Sequence, residues 1–237
     1  MHGHRPRKQL KIRRGIVERD PSNKDWQHNV AVSLDQIGDI RVQMNDAPRA
    51  LAAYEDGLAI RHRLADANLN NEELRREVSI SLHRIGDVKL RLGDAGGALA
   101  AYQEGLAIRR QLAQAAPGNL LRRRDLSVSL ERMGDTRTQT GAFGDALAAL
   151  QEGLDIRRDP AKANPANPQL QEDIGFLLPR IGRVKLLEGE NSGAIVADEG
   201  ALAIIRRLAE RDPGNTEWQV EMSIILDDIA QAKRGVG

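Results

Sequence analysis

Carboxylates recur along the chain at a fixed interval, and a row of them on one surface could bind a ligand. Asp39, Asp87 and Asp135 lie 48 residues apart, while Asp35 and Glu131 each precede one of them by four residues. Residues four apart share one face of a helix. The pattern therefore predicts an acidic ladder that would attract a basic or amide-rich peptide.

Arginines offer a second interpretation of the same ladder. Arg84 and Arg132 lie three residues before Asp87 and Asp135, a spacing at which opposite charges on a helix form salt bridges. In that case the acids stabilise the fold and do not bind a partner. The sequence leaves both interpretations open, and Arg183 takes the place of the next carboxylate in the series.

Two basic series share this interval and could bind phosphates. They are Arg41, Lys89, Arg137, Lys185 and Lys233, and then Arg13, Arg61, Arg109 and Arg157. The first series is interpreted as structural, because long basic side chains at a helix C-terminus cover apolar surface and face the negative end of the helix dipole. The second series is predicted to form a solvated outer face.

The sequence predicts no enzyme, no cofactor and no metal site. The chain has no cysteine, and His28, His62 and His83 share no ligand spacing. His2 and His4 could hold a transition metal weakly, but a disordered start of the chain is the favoured interpretation. There is no Gly-rich phosphate loop, nucleophile elbow or HExxH motif. A net charge of +1 provides no overall field to attract a polyanion.

The elements that would position these side chains follow from the same interval. It is shared by Gly38, Gly86, Gly134 and Gly182, and the distance from Trp26 to Trp218 is four intervals. A constant period without low complexity is typical of a stacked repeat array. With 41% hydrophobic but only 3% aromatic residues, the predicted core consists of Leu, Ile, Val and Ala on helices.

Each repeat is predicted to contain two helices of about 20 residues, helix A and helix B. An asparagine precedes each helix A, where its side chain can cap the first turn; these are Asn23, Asn71, Asn119, Asn167 and Asn215. Short polar, mostly Gly-bearing tetrads such as GDAG (93–96) separate helix A from helix B. Pro160 is predicted to end one helix B early, near Arg158, and Pro179 to kink the following helix A.

The repeating glycines are predicted to let helices A and B approach closely. A glycine inside a helix costs about 1 kcal/mol relative to alanine, so a packing contact must compensate for it. The expected partners lie twelve residues further on, at Ala50, Ala98, Ala146 and Ala194. Ala230 replaces glycine in the last helix A, where no helix B follows in the sequence.

The motif Leu34-x2-Ile37-Gly38 … Ala50-x3-Tyr54 resembles the tetratricopeptide repeat. The resemblance covers nearly the whole chain, with a period of 48 residues in place of the usual 34. It implies an all-α, right-handed α-solenoid of antiparallel helix pairs, about ten helices in all. The chain is similar to long-helix variants found in bacterial interaction and signalling proteins.

The resemblance also implies a binding surface on the concave wall, which the exposed face of helix A would line. The residues on that face are Asp35, Asp39, Gln43, His83, Asp87, Arg91, Glu131, Asp135 and Gln139. The family's carboxylate clamp requires Lys and Asn where this chain has Asp35 and Asp39. Binding of acidic chaperone tails is therefore not expected.

The predicted organisation is one array over residues 1–237. A partial repeat at 1–22 (the second half of a helix B) precedes full repeats at 23–70, 71–118, 119–166 and 167–214, and a terminal helix at 215–237. The chain has no signal-like h-region and no apolar run long enough to span a bilayer. A cytoplasmic protein without a membrane partner is expected.

The predicted function is a non-catalytic scaffold that binds a protein or peptide, basic in character, along the helix-A face. The alternative is self-association, in which repeats stack through an uncapped N-terminal end. A third hypothesis, disfavoured by the charge balance, is nucleic-acid binding through the helix-B arginines, which would be steeply salt-sensitive.

Overall fold

The computed structural model describes residues 23–236, and this part of the chain forms ten α-helices and no β-strand. The helices are α1 (Lys24–Gln43), α2 (Ala47–Asp66), α3 (Glu72–Arg91), α4 (Ala95–Ala115), α5 (Leu120–Gln139), α6 (Phe143–Ala163), α7 (Pro168–Gly175), α8 (Leu178–Leu187), α9 (Asn191–Arg211) and α10 (Thr216–Arg234). The all-α fold class predicted from the sequence is confirmed.

The chain divides into two compact units, with the boundary between Ala115 and Ala116. Helices α1–α4 belong to the first unit and α5–α10 to the second. Helices A of the repeats are α1, α3, α5, the broken pair α7–α8, and α10; helices B are α2, α4, α6 and α9. One continuous array over residues 1–237 stays a prediction. The predicted partial helix B at 1–22, with His2, His4 and Arg13, lies outside the described residues.

Asparagine caps begin every helix A. The Oδ1 atom of Asn23 accepts a hydrogen bond from the backbone N–H of Trp26 at 3.1 Å, and Asn71 accepts from two N–H groups of the next helix. Asn119, Asn167 and Asn215 do the same. These side chains satisfy N–H groups that have no partner inside the helix.

Helix A turns into helix B through one residue with positive φ. Asn45 has φ 56°, and Gly93, Gly141 and Gly189 have φ between 78° and 80°. The left-handed conformation favours glycine and tolerates asparagine. The short turns bring each helix B back antiparallel to its helix A, and the pairs α1/α2, α3/α4 and α5/α6 pack along their length.

The repeating glycines lie in the helix A–helix B interface, where the nearest side chains belong to residues sixteen positions further on. A Cβ atom on Gly38 or Gly86 would overlap the ring of Tyr54 or Tyr102, sixteen residues further on. On Gly134 it would lie 2.5 Å from Cγ of Leu150. The alanines twelve residues on, Ala50, Ala98, Ala146 and Ala194, are fully buried. The large side chain one turn later fills the space above the glycine, since a helical side chain leans back toward its own N-terminus.

The prediction that helix B ends near Arg158 is wrong. Helix α6 continues to Ala163 with Pro160 inside it. Pro160 has no N–H to offer the carbonyl of Ile156, four residues earlier. Nη2 of Arg123 donates to that carbonyl at 3.1 Å, so the bond lost to proline is replaced from a neighbouring helix.

The interruption predicted at Pro179 is present. Helix α7 ends at Gly175 and α8 begins at Leu178, with Pro179 in the first turn of α8. Proline is tolerated there because first-turn N–H groups have no partner inside the helix. No described helix is long and apolar enough to cross a membrane.

Candidate interaction surface

The candidate residues lie on the helix-A faces, in two separate groups. In the first unit, α1 carries Asp35, Asp39 and Gln43, and α3 carries His83, Asp87 and Arg91; in the second, α5 carries Glu131, Asp135 and Gln139. Gln43, Arg91 and Gln139 are exposed in the last turn of their helices, and the other six are partly buried. The buried ones have partners within the protein.

In the first unit, an arginine of one helix A binds the carboxylates of the preceding helix A. Nη1 of Arg84, on α3, lies 3.3 Å from Oδ2 of Asp35 and 3.7 Å from Oδ1 of Asp39, both on α1. The same guanidinium lies 5.8 Å from the centroid of the Tyr54 ring, within cation–π distance. Arg84 therefore links the two helices and partly neutralises the acids.

The second unit repeats this arrangement. Arg180, on α8, contacts Glu131 and Asp135 of α5, each at 3.2 Å. Burial raises the pKa of the Asp135 carboxyl above its usual range even though Arg180 opposes the shift. We call each of these groups a rung: two carboxylates of one helix A with one arginine of the next.

These ion pairs support the structural interpretation of the acidic ladder, but they do so in a different geometry. The sequence predicted pairs within one helix, from Arg84 and Arg132 to the acids three residues later. Arg84 and Arg180 bridge consecutive helices A, and the charge of Arg132, on the same helix as Asp135, also opposes the rise in the pKa of that carboxyl. Helical periodicity shows which residues share a face, whereas the neighbouring helix depends on tertiary packing.

Two tyrosines of helix B donate hydrogen bonds to aspartates of the acidic ladder. The hydroxyl of Tyr54 donates to Oδ1 of Asp39 at 2.7 Å, and that of Tyr102 donates to Asp87 at 2.6 Å. Burial, followed by the bond to Asp39, raises the pKa of the Tyr54 phenol above its usual range. The recurring spacing of fifteen residues between aspartate and tyrosine could have indicated these pairs. His83 packs against Tyr102, with ring centroids 5.2 Å apart.

The helix-B arginines were predicted to be solvated, and this prediction is wrong. Arg61, Arg109 and Arg157 are only 4%, 5% and 8% exposed. The hydrophobic pattern of helix B does not distinguish a buried arginine from an exposed one. An arginine on the buried side of the helix can still reach polar groups, because its side chain is long. Their burial removes these three residues as a phosphate-binding surface.

In the first unit, each buried arginine binds groups on helices A. The guanidinium of Arg61 donates to both carboxylate oxygens of Asp35, at 3.1 and 2.5 Å, and to Oγ of Ser81 at 3.0 Å. Nε of Arg109 donates to Oγ of Ser79 at 3.2 Å. Arg61 thereby contacts both the helix A of its own repeat and the next one.

Arg157, in the second unit, binds groups on two helices. It donates to Oγ of Ser127 at 2.6 Å, to Oε2 of Glu131 at 2.5 Å and to the carbonyl of Asp173 at 2.6 Å. Asp35 and Glu131 each bind one buried and one surface arginine. We call the serine and carboxylate of helix A that bind a helix-B arginine the arginine receptor.

The rungs give the helix-A face mixed polarity with little net charge. In each rung a surface arginine contacts both carboxylates, and one of the two carboxylates also binds a buried helix-B arginine. Asp39 remains 48% exposed, and Arg84 and Arg180 remain 36% exposed in their side chains. Such a surface offers hydrogen-bond acceptors and donors held in fixed positions. No group of residues able to hold a metal ion occurs among residues 23–236.

A small apolar pocket lies elsewhere in the second unit. Its volume is about 230 Å³, and Leu120, Leu121, Pro160 and Leu170 are among its lining residues. No sequence pattern predicted this pocket. Arg123 and Arg124 also line it and donate to Asp159 and Asp173, respectively.

The described helices define a tetratricopeptide-like helical repeat fold, and comparison with solved structures agrees. A crystal structure of BtubC (BKLC) from P. vanneervenii superposes with a TM-score of 0.66 at 15% identity, covering 98% of this chain and 85% of that one. A Podosopora anserina putative kinesin light chain with nearly identical TPR-like repeats gives 0.62 at 15% identity, covering 88% and 90%. At this identity the likeness establishes the fold alone.

Comparison by sequence gives no further assignment. No family model matches the chain. No curated protein matches it with significance.

Proposed function

We propose that the chain is a non-catalytic interaction scaffold that binds an extended peptide or protein segment along the helix-A face of its repeats. The observation that supports this is the pair of rungs. Each holds a half-exposed carboxylate or guanidinium in place through partners on neighbouring helices. Groups fixed before binding lose little conformational entropy when a partner arrives.

The charges of the rungs indicate which kind of peptide the surface would bind. Arg84 and Arg180 offset the carboxylates, so the surface offers a lysine- or arginine-rich segment little net attraction. A peptide that donates and accepts hydrogen bonds, through its backbone or through Asn and Gln side chains, matches the mixed surface better. Few aromatic residues are available as anchors, since Trp, Tyr and Phe make up 3% of the chain. We therefore expect modest affinity for a single site.

The test is peptide selection against the folded chain, followed by titration of the selected peptides. The variant carries Asp39→Asn, Asp87→Asn and Asp135→Asn together. Asparagine keeps an oxygen that can accept from Tyr54, Tyr102 and Arg180, so these hydrogen bonds can form while the charge is lost. We expect the dissociation constant to rise about tenfold or more, since each lost charge-assisted hydrogen bond is worth about 1.5–3 kcal/mol.

The matched control removes three exposed acids from helices B. Glu55→Gln, Asp66→Asn and Glu210→Gln change the net charge by the same amount away from the helix-A face. Peptide affinity should be unchanged in this control. Equal loss in the control, or unchanged binding in the aspartate variant, would reject the helix-A face as the binding surface.

A second candidate function is self-association, which is favoured by the exposed side of helix α10, where Leu226 is 48% exposed.

A further inference from the structure

The terminal helix α10 exposes a face that helix B covers in the other repeats. Leu226 is 48% exposed, whereas the leucines at the same repeat position are at most 9% exposed; these are Leu34, Leu82, Leu130 and Leu178. Ser223, Asp227 and Ala230, on the same side of α10, are also exposed. The opposite side, with Trp218, Ile225 and Ile229, is buried against the second unit's core.

This exposed face carries an arginine receptor. Ser223 occupies the repeat position of Ser79 and Ser127, which accept from Arg109 and Arg157. Asp227 occupies the position of Asp35 and Glu131, which bind Arg61 and Arg157. Both groups of the receptor are thus present on α10.

Each helix A that faces a helix-B arginine carries at least one group of the receptor: Asp35 for Arg61, Ser79 for Arg109, and both Ser127 and Glu131 for Arg157. Where helix B carries Ile205 in place of arginine, helix A carries Gly175 and Pro179 in place of serine and carboxylate. A Cβ atom on Gly175 would lie 2.6 Å from Cδ1 of Ile205, so the apolar side chain occupies the vacated space. Ser223 and Asp227 therefore indicate that the helix that covers α10 brings an arginine.

One segment of the chain has the required pattern. Residues 8–19, KQLKIRRGIVER, align with the second half of helix B, and Arg13 lies one 48-residue interval before Arg61. Leu10 and Ile12 match Leu58 and Ile60 in the same alignment. The charges are complementary as well: the segment has five basic residues and one acidic, whereas α10 has four acidic and two basic.

We propose that α10 is a docking surface for residues 8–19 of a second copy of this chain. Helix A from one copy and the helix-B segment from the next would complete one repeat, with Arg13 bound between Ser223 and Asp227. One helix B can contact two helices A at once. Arg61 contacts both α1 and α3, and Arg157 contacts both α5 and α7. The contact is heterologous, so copies add head to tail. This inference does not depend on the helix-A face binding a peptide.

The experiment measures molar mass by light scattering and sedimentation over a wide concentration range of the full chain. We expect mass to rise with concentration, and Arg13→Asp or Leu226→Asp alone to give monomers. Mixing the two variants is decisive. The Arg13→Asp copy keeps an intact α10, and the Leu226→Asp copy keeps an intact Arg13 segment, so one junction forms. The mixture should therefore stop at a one-to-one dimer.

Two control variants match the charge change. Arg14→Asp alters the neighbouring residue of the segment, and Leu69→Asp alters an exposed leucine elsewhere; both should assemble like the parent chain. Circular dichroism and thermal melting check that each variant is folded. A parent chain that stays monomeric up to its solubility limit overturns the proposal. So does association that survives Arg13→Asp, which would indicate pairing of α10 with α10. Peptide binding by the monomeric Leu226→Asp variant tests the scaffold function separately.

Discussion

Two helix pairs of the second unit differ in the polarity of their interfaces at the same repeat position. Between α5 and α6, buried Arg157 binds Ser127 and Glu131. Between α7–α8 and α9, Ile205 takes the position of the arginine. The register of the two pairs is the same, while one interface is polar and the other apolar.

The apolar pair also contains a buried carboxyl group. Asp198, which stands where Tyr54 and Leu150 stand in other repeats, is 1% exposed. Its Oδ1 atom has no hydrogen-bond partner within the described residues. Burial, with Asp228 nearby, raises the pKa of Asp198 to about 7. The comparison teaches that this interface stabilises an ionised side chain where the facing helix supplies its partners, whereas a buried carboxyl without them has a raised pKa.

The largest effect is expected from breaking the polar pair. Arg157→Met leaves Ser127 without its donor and Glu131 with only Arg180, which should lower the free energy of unfolding by about 3 kcal/mol or more. Urea denaturation of both proteins measures the difference. Arg158→Met, at a half-exposed neighbour, is the control and should cost about 1 kcal/mol or less.

A combined variant sharpens this test. Arg157→Ile and Ser127→Gly copy residues of the next pair, and Glu131→Leu replaces the carboxylate by an apolar side chain, as Pro179 does there. Replacing a buried ion pair by well-packed apolar residues is often close to neutral. The combined variant should therefore regain most of the free energy of unfolding that Arg157→Met loses. A combined variant no more stable than Arg157→Met would show that apolar residues cannot replace the polar cluster.

The next effect concerns Asp198. Between its ordinary pKa of 3.8 and the raised value of about 7, the folded state holds a proton that the unfolded state has lost. Stability therefore falls as pH rises through this window. Asp198→Leu, which copies Leu150, should remove that slope. It should raise the free energy of unfolding above pH 7 by about 2–4 kcal/mol.

Thermal unfolding across the pH range checks the prediction for Asp198. Glu210→Gln, an exposed acid on the same helix, is the control and should keep the parent's slope. A parent protein whose stability is flat between pH 4 and pH 7 would contradict the raised pKa.

The smallest change in stability is expected from exchanging glycine and alanine at one repeat position, first in α5, which a helix B covers, and then in α10, where the same position is exposed. Gly134→Ala places Cβ 2.5 Å from Cγ of Leu150 and should cost about 1–2 kcal/mol net, because overpacking exceeds the gain in helix propensity. Ala230→Gly, at the same position of α10, should cost about 1 kcal/mol from propensity alone. Measuring both at concentrations where the chain is monomeric isolates the packing contribution. Equal stabilisation by alanine at both positions would mean that α6 does not crowd Gly134.

Much of the fold could be predicted from local pattern. The asparagine caps, the turns at Asn45 and Gly93, and the break before Pro179 depend on neighbours within a few residues, so the sequence contains their causes. Pro160 was predicted wrongly because its compensation comes from Arg123, which lies 37 positions away in sequence. The helix-B arginines were misplaced for the same reason: their partners lie on other helices.

The sequence by itself determined that the chain is all-α, where its helices begin and turn, and which residues share a helix face. These properties follow from hydrogen bonding and steric preference within one or two helical turns. Only the tertiary structure decided that Arg61, Arg109 and Arg157 are buried, that Arg84 and Arg180 bridge consecutive helices A, and that each glycine accommodates the side chain sixteen residues on. Those outcomes depend on which groups from distant parts of the sequence come into contact and exclude water. The pattern of a single helix does not specify which helix packs against it.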